Sequence, residues 1–282
     1  MFGFLNINKP SGMTSHDVVA ILRKVTKIKQ IGHTGTLDPF ATGVLPICIG
    51  KATRLLEYLH NDKTYTAKIQ FGKNTDTYDC TGQITESFNK KAEREELEKI
   101  LPDFTGEIEQ LPPIYSAVKI NGKKLYEYAR MGEQIEIKPR KVTIYGIKLS
   151  NFDYDNQIAE IEISCKSGTY IRSLAFDIGK KLGSGAYLKE LKRIKSDRFD
   201  ITKSLNIKDL TIEKIKTNII NPVYILDMPM IEIDNTELIR IKNGMQINKK
   251  ASDGMLGLVY NNGLCAIGEC CGNIINMKKV LL

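Results

Sequence analysis

Apolar residues recur at helical spacing in two stretches of this chain. Val18, Val19, Leu22, Val25 and Ile28 form one stripe, behind Thr14 and Ser15, which can cap a helix running to about Lys29. Ile171, Leu174, Ala175, Ile178 and Leu182 form the second, predicting a helix over Thr169 to Leu182 closed by Gly183. Tyr65 to Phe71 alternates with the period of a strand. Val142–Leu149 and Ile158–Cys165 read as a strand pair across the turn residues Asn151 to Asn156. A charged helix is expected from Ala92 to Leu101, stopped by Pro102. Ile31 to Gly50 holds four glycines and two prolines among small polar residues, and reads as an ordered loop.

The texture changes after Asn221-Pro222. A short helix is expected at Leu238–Lys242, ended by Asn243-Gly244. Leu256–Tyr260 and Leu264–Gly268 flank Asn261-Asn262-Gly263, a strong hairpin signal, and Ile274–Leu281 can add a strand. The reading is a larger domain over 1–225 and a small β-rich module over 226–282. Within the larger domain, Leu111-Pro112-Pro113 opens a polar segment rich in Lys, Tyr and Gly. It reads as an insertion over about 110–139, projecting from the core.

The chain has 282 residues, 42% of them hydrophobic, enough for a sizeable core. Lys and Arg number 41 against 33 Asp and Glu, a net charge of +8 that is compatible with a polyanionic partner. Distribution says more than the total. Between Ala117 and Lys148 lie Lys119, Lys123, Lys124, Arg130, Lys138, Arg140, Lys141 and Lys148, against Glu127, Glu133 and Glu136. A second basic run is Lys189, Lys192, Arg193, Lys195 and Arg198. Two such clusters suit a surface that follows a phosphate backbone, although either alone reads equally as a solvated face. The six cysteines form no C-x-x-C pair, and no apolar run reaches 18 residues. A cytoplasmic protein with reduced thiols, no structural metal and no membrane association is expected.

Candidate chemistry concentrates in Gly32-His33-Thr34-Gly35-Thr36-Leu37-Asp38-Pro39-Phe40-Ala41-Thr42-Gly43-Val44-Leu45-Pro46. Pro39 keeps Asp38 out of helical backbone, and the glycines permit tight turns and close approach of a ligand. The loop can therefore present a carboxylate at the floor of a cleft. A bare Asp-Pro is more often an ordinary turn, but the longer string strongly resembles the catalytic motif of the bacterial tRNA pseudouridine-55 synthase family, TruB. Lys9-Pro10-Ser11-Gly12 resembles that family's N-terminal motif, and Lys63-Thr64-Tyr65 the motif carrying its active-site tyrosine. Leu111 to Lys119 resembles the start of its RNA-gripping insertion, and Gly168-Thr169-Tyr170-Ile171-Arg172 the motif carrying its arginine. These motifs stand in the family's order and span roughly residues 2 to 200.

The resemblance implies an α/β fold of α+β type. It has a mixed, largely antiparallel sheet in the catalytic domain and a small PUA-like C-terminal module, shorter than is usual. It implies isomerisation of uridine to pseudouridine at position 55 in the T loop of tRNA, with no cofactor. Asp38 would be the essential carboxylate and Arg172 its ion-pair partner. Tyr65 would stack on the extruded uracil, Leu191 would pack its other side, and His33 would fill the space the base vacates. Lys119, Lys123, Lys124 and Arg130 would grip the RNA backbone of the T arm. The implied partner is tRNA, met by a monomer without guide RNA. Three rivals remain: the guide-RNA-dependent branch of the superfamily, an RNA chaperone with a vestigial site, and an aspartyl glycosidase. The last wants a second carboxylate across the scissile bond, and none is evident near Asp38.

Overall fold

The computed structural model describes residues 1–60, 62–133 and 135–282, with Arg130 described by its main chain alone. In chain order the elements begin β1 (Gly3–Lys9), α1 (Ser15–Thr26), β2 (Ile31–His33), β3 (Thr42–Ile49), β4 (Lys63–Phe71), β5 (Lys73–Thr75), β6 (Ile84–Ser87) and α2 (Arg94–Ile100). There follow β7 (Gly106–Gln110), β8 (Lys119–Ile120), β9 (Lys123–Lys124), α3 (Leu125–Met131), β10 (Arg140–Asp153), β11 (Ile158–Cys165), α4 (Ile171–Leu182) and β12 (Ala186–Ser196). The chain closes with β13 (Phe199–Asp200), β14 (Leu205–Asn206), α5 (Ile212–Thr217), β15 (Met230–Glu232), α6 (Asn235–Lys242), β16 (Ile247–Asn248), β17 (Gly254–Tyr260), β18 (Gly263–Cys271) and β19 (Ile274–Val280). Among the described residues no helix is long and apolar enough to cross a membrane.

These elements gather into two compact units. One comprises Met1–Asp38, Leu45–His60 and Asp197–Leu282; the other comprises Pro39–Val44 and Asn61–Ser196. In the second, strands run in the order β12, β4, β11, β10, β7, antiparallel at every step, and β3 joins through Thr42 and Gly43 in parallel with β12. Alternation along β4 buries Tyr65, Ala67, Ile69 and Phe71 while the intervening residues stay half exposed. The helix α4 packs on β12 and β4, as its apolar stripe requires, and ends at Gly183, whose φ of 71° is left-handed. The mixed, largely antiparallel sheet agrees with the fold expected from the sequence.

The first unit holds β1 between β14 and β3, with β2 along the other end of β3. Thr14 and Asp17 form a reciprocal capping box at α1, and Lys27, left-handed at φ 59°, ends the helix. The same unit contains a five-stranded sheet in the order β15, β17, β18, β19, β16. Its core is Leu238, Ile241, Ile247, Leu256, Leu258, Ala266 and Ile275 among others. Asn261 and Asn262 carry φ of 49° and 61°, the doubly positive turn that the β17–β18 hairpin needs.

Residues 31–50 differ from the expected loop. β2 pairs with β3 at Ile31↔Ile49, Gly32↔Cys48 and His33↔Ile47, so only the middle is irregular. Thr42–Ile49 is buried almost throughout, so it lacks the two-residue alternation of a half-exposed strand, and its glycine and proline obscured the rest.

Candidate active site

In the first unit, Asp38 ends an irregular segment that leaves β2 after His33. The segment is closed at its base by Thr34 N–H donating to Pro46 O at 3.0 Å. Leu37 is buried, and both its main-chain polar groups meet one side chain. Ser15 Oγ accepts from Leu37 N at 2.8 Å and donates to Leu37 O at 3.2 Å. The residue before the candidate carboxylate is thereby bolted to the first turn of α1, and Pro39 restricts Asp38 from the other side. Asp38 itself is half-buried. Lys9 is fully buried, and its Nζ donates to Pro10 O at 2.9 Å and Met13 O at 2.6 Å, ordering the turn that leads into α1. His33 is half-buried on β2, opposite Ile47.

In the second unit, β4 and β12 pair with Tyr65 opposite Arg193 and Ala67 opposite Leu191. Side chains two residues apart share a face, so Tyr65 and Leu191 are diagonal neighbours on one surface of the sheet. Both are buried, at 6% and 7% exposure. Arg193 is fully buried and donates from Nε to Val44 O at 2.7 Å. Its main chain lies so close to β3 that a Cβ on Gly43 would come within 2.2 Å of Arg193 O, and Gly43 has φ 104°. Only glycine fits there.

Arg172 occupies the first turn of α4 with 5% exposure. Its Nη1 meets Asp79 Oδ2 at 3.4 Å and Thr77 O at 3.3 Å, and its Nη2 donates to Tyr115 O at 2.9 Å. Asp79 is as deeply buried as its partner, and its Oδ1 accepts from Thr77 Oγ1 at 2.8 Å, Thr81 N at 2.9 Å and Thr81 Oγ1 at 2.6 Å. The loop carrying Asp79 is pinned to β12 by Cys80 N to Leu188 O and Leu188 N to Tyr78 O. Tyr78, at φ 61°, stacks on Phe176 with centroids 4.1 Å apart. Sequence reasoning marked Arg172 but not Asp79. The available signal was Asp76-Thr77-Tyr78-Asp79-Cys80-Thr81-Gly82, a string dense in residues that fold back on their own backbone. Gln110 was also missed. Its buried amide accepts from Tyr170 N at 2.8 Å and donates to Tyr170 O at 3.0 Å, and Ser173 Oγ donates to Leu111 O at 2.7 Å. The entrance of the insertion is thus fastened to the start of α4.

The insertion is a two-residue hairpin followed by a helix. Asn121 and Gly122, at φ 51° and 85°, turn β8 into β9, which leads into α3. Lys119 and Lys123 are exposed and Lys124 is half-buried. Lys123 Nζ lies 5.6 Å from the centre of the Tyr128 ring, and Lys124 Nζ lies 5.3 Å from that of Tyr126. The Arg130 side chain falls outside the described residues.

Two family models cover most of the chain. Residues 23–171 match the TruB family pseudouridylate synthase N-terminal domain, and residues 172–223 match the tRNA pseudouridylate synthase B C-terminal domain. The protein is therefore an isomerase of the pseudouridylate synthase class. Within that class the chain belongs to the TruB family. It is 48% identical over 256 residues to tRNA pseudouridine synthase B of Dehalococcoides mccartyi, covering 88% of this chain and 84% of that one. It is 38% identical over 287 residues to tRNA pseudouridine synthase B of Aquifex aeolicus, covering 100% of both. Among solved structures it resembles a chain of a Cbf5-Nop10-Gar1 complex with a TM-score of 0.70 at 25% identity, covering 100% of this chain and 85% of that chain.

Proposed function

We propose that this chain converts uridine to pseudouridine at position 55 in the T loop of tRNA, with Asp38 as the essential carboxylate. The observation that carries the reading is similarity along the whole chain, at 38% identity, to a protein named tRNA pseudouridine synthase B, joined to an intact GHTGTLDPFATGVLP string. The reaction breaks the bond between ribose C1′ and uracil N1 and joins C1′ to C5. The proton leaving C5 is balanced by one gained at N1. No electrons are exchanged, so the stoichiometry calls for no redox partner. Asp38 either attacks C1′ or removes a ribose proton to start the elimination.

Tyr65 supplies a ring on which the extruded uracil stacks, and Leu191 an apolar contact beside it. Arg172 acts as the orienting guanidinium of the site, itself held by Asp79 and two carbonyls. His33 takes the place of the extruded base. Lys119, Lys123, Lys124 and Arg130 bind backbone phosphates of the T arm, and the five-stranded sheet contributes a second RNA contact. The chain acts as a monomer, without guide RNA.

Incubating the protein alone with an unmodified tRNA transcript and mapping pseudouridine tests this directly. A single modified position in the T loop is expected, and Asp38→Asn should bind the transcript while forming none. Modification elsewhere, a requirement for an added RNA, or turnover by Asp38→Asn would overturn the corresponding part.

A further inference from the structure

Lys63 opens β4, two residues before Tyr65 and therefore on the same face of the sheet. It is half-buried, and its surroundings do not compensate its charge. Its Nζ donates to Ser167 Oγ at 3.0 Å, and among the described residues no carboxylate lies within ion-pair distance of it. The neighbouring Asp62 is engaged elsewhere, accepting from Tyr145 Oη at 2.7 Å. Across the sheet Lys63 faces Cys165 on β11 and Ser196 on β12. A second buried cation, Arg193, stands two strand residues along, opposite Tyr65. Burial and then the Arg193 charge pull the Lys63 ammonium down to about 8, and the Cys165 thiol is pushed by burial to about 11. An ammonium withdrawn from water beside another cation is costly unless something supplies negative charge.

We infer that Lys63, with Ser167, is a binding site for a backbone phosphate of the RNA substrate, flanking the nucleotide that stacks on Tyr65. The inference rests on the function proposed above. Ser167 precedes Gly168, whose φ of 97° bends the chain toward α4, so hydroxyl and ammonium converge from a loop and a strand end. Ammonium and hydroxyl donate to the same phosphodiester oxygens, and the phosphate supplies the counter-charge that no described side chain provides. The arrangement also assigns a purpose to the first residue of Lys63-Thr64-Tyr65, which stacking by Tyr65 leaves unused.

A phosphate binds only the protonated lysine, so affinity for RNA should fall as pH rises through about 8. The titratable neighbours do not change charge near there: Cys165, across the sheet, is pushed well above by burial, and Tyr145, bonded to the adjacent Asp62, is raised from its ordinary value by that bond. The experiment measures dissociation constants of the full chain for labelled, unmodified tRNA transcript between pH 6.5 and 9.5 and across a salt series, for wild type, Lys63→Met and Lys63→Arg. At pH 7, Lys63→Met should bind about tenfold more weakly. Its dependence of log affinity on log salt should be shallower by roughly 0.7–0.9. The wild type should lose affinity above pH 8. Lys63→Met should show no such loss, and Lys63→Arg should keep near-wild-type affinity across the range. Lys63→Arg retains a charge that cannot be removed, so its flat profile tests the idea even if Lys63→Met folds poorly. Wild-type affinity, salt slope and pH profile in Lys63→Met, or a defect confined to kcat, would overturn it. A wild type that forms no pseudouridine fails the proposed function instead, whatever the variants bind.

Discussion

Ser15→Ala deletes one oxygen atom and leaves two main-chain groups of Leu37 without their shared partner. Ser15 is 2% exposed and Leu37 is 3% exposed, so water reaches neither group without local opening. An unsatisfied buried donor or acceptor costs about 1–3 kcal/mol, and partial relaxation brings the pair to about 2–4 kcal/mol. The energy is spent where the main chain turns into Asp38, so the segment should sample other conformations before the unit as a whole unfolds. Displacing a reacting group by about 1 Å can cost about 10²-fold in rate. The expected result is a single-turnover rate on tRNA transcript reduced about 10- to 100-fold, with the dissociation constant within about twofold of wild type. The melting temperature should fall by several degrees. Ser15→Thr keeps the hydroxyl and should recover most of the rate. A wild-type rate in Ser15→Ala, despite a lowered melting temperature, would refute the idea that this hydroxyl positions the carboxylate.

Asp79→Asn removes the carboxylate charge 3.4 Å from the Arg172 guanidinium in surroundings with 5% exposure, although amide and threonine contacts can partly persist; urea denaturation should show a loss of about 3–5 kcal/mol, and a loss under 1 kcal/mol would mean the pair is dispensable. Burial raises Asp177 to about 6, above its unfolded value near 3.8. The folded chain therefore holds this proton more tightly, and the carboxyl costs stability as pH rises from about 4 to 6 and stays costly above that. Asp177→Asn should raise the melting temperature at pH 7.5 and leave it nearly unchanged at pH 4; the opposite order would contradict the burial argument.

The helices α1 and α4 were legible because periodicity and end signals agree: an Asp17-backed cap at Thr14, and Gly183 in the one conformation that stops α4 cheaply. The β17–β18 hairpin was legible for the same reason, since Asn261-Asn262 suits only a doubly positive turn. β12 was not, and its residues read as a basic run. Register irregularities at Leu188/Glu190 and at Arg193/Lys195 break its two-residue period, so its buried positions fall out of step. β1 went unread because both its faces are buried, Asn6 and Lys9 included. Among the candidate residues, Asp38, Tyr65, Arg172, Leu191 and His33 were marked through a string of motifs. Ser15, Asp79 and Gln110 were not, because each acts through a partner 22, 93 or 60 residues away. Long-range pairing leaves little local trace.

The path of the chain through its two units sets an order of assembly during synthesis. The second unit is almost entirely one continuous run, Asn61–Ser196, and every strand from β4 to β12 is available once that run has left the ribosome. The first unit must wait. Ile7 and Asn8 on β1 pair with Leu205 and Asn206, Phe4 exchanges main-chain hydrogen bonds with Ile220, and Phe4 and Phe199 pack edge to face at 5.8 Å. Strand β1 thus finds these partners only after the whole run Asn61–Ser196 has been made, and the segment bearing Asp38 belongs to the unit that is completed after that run.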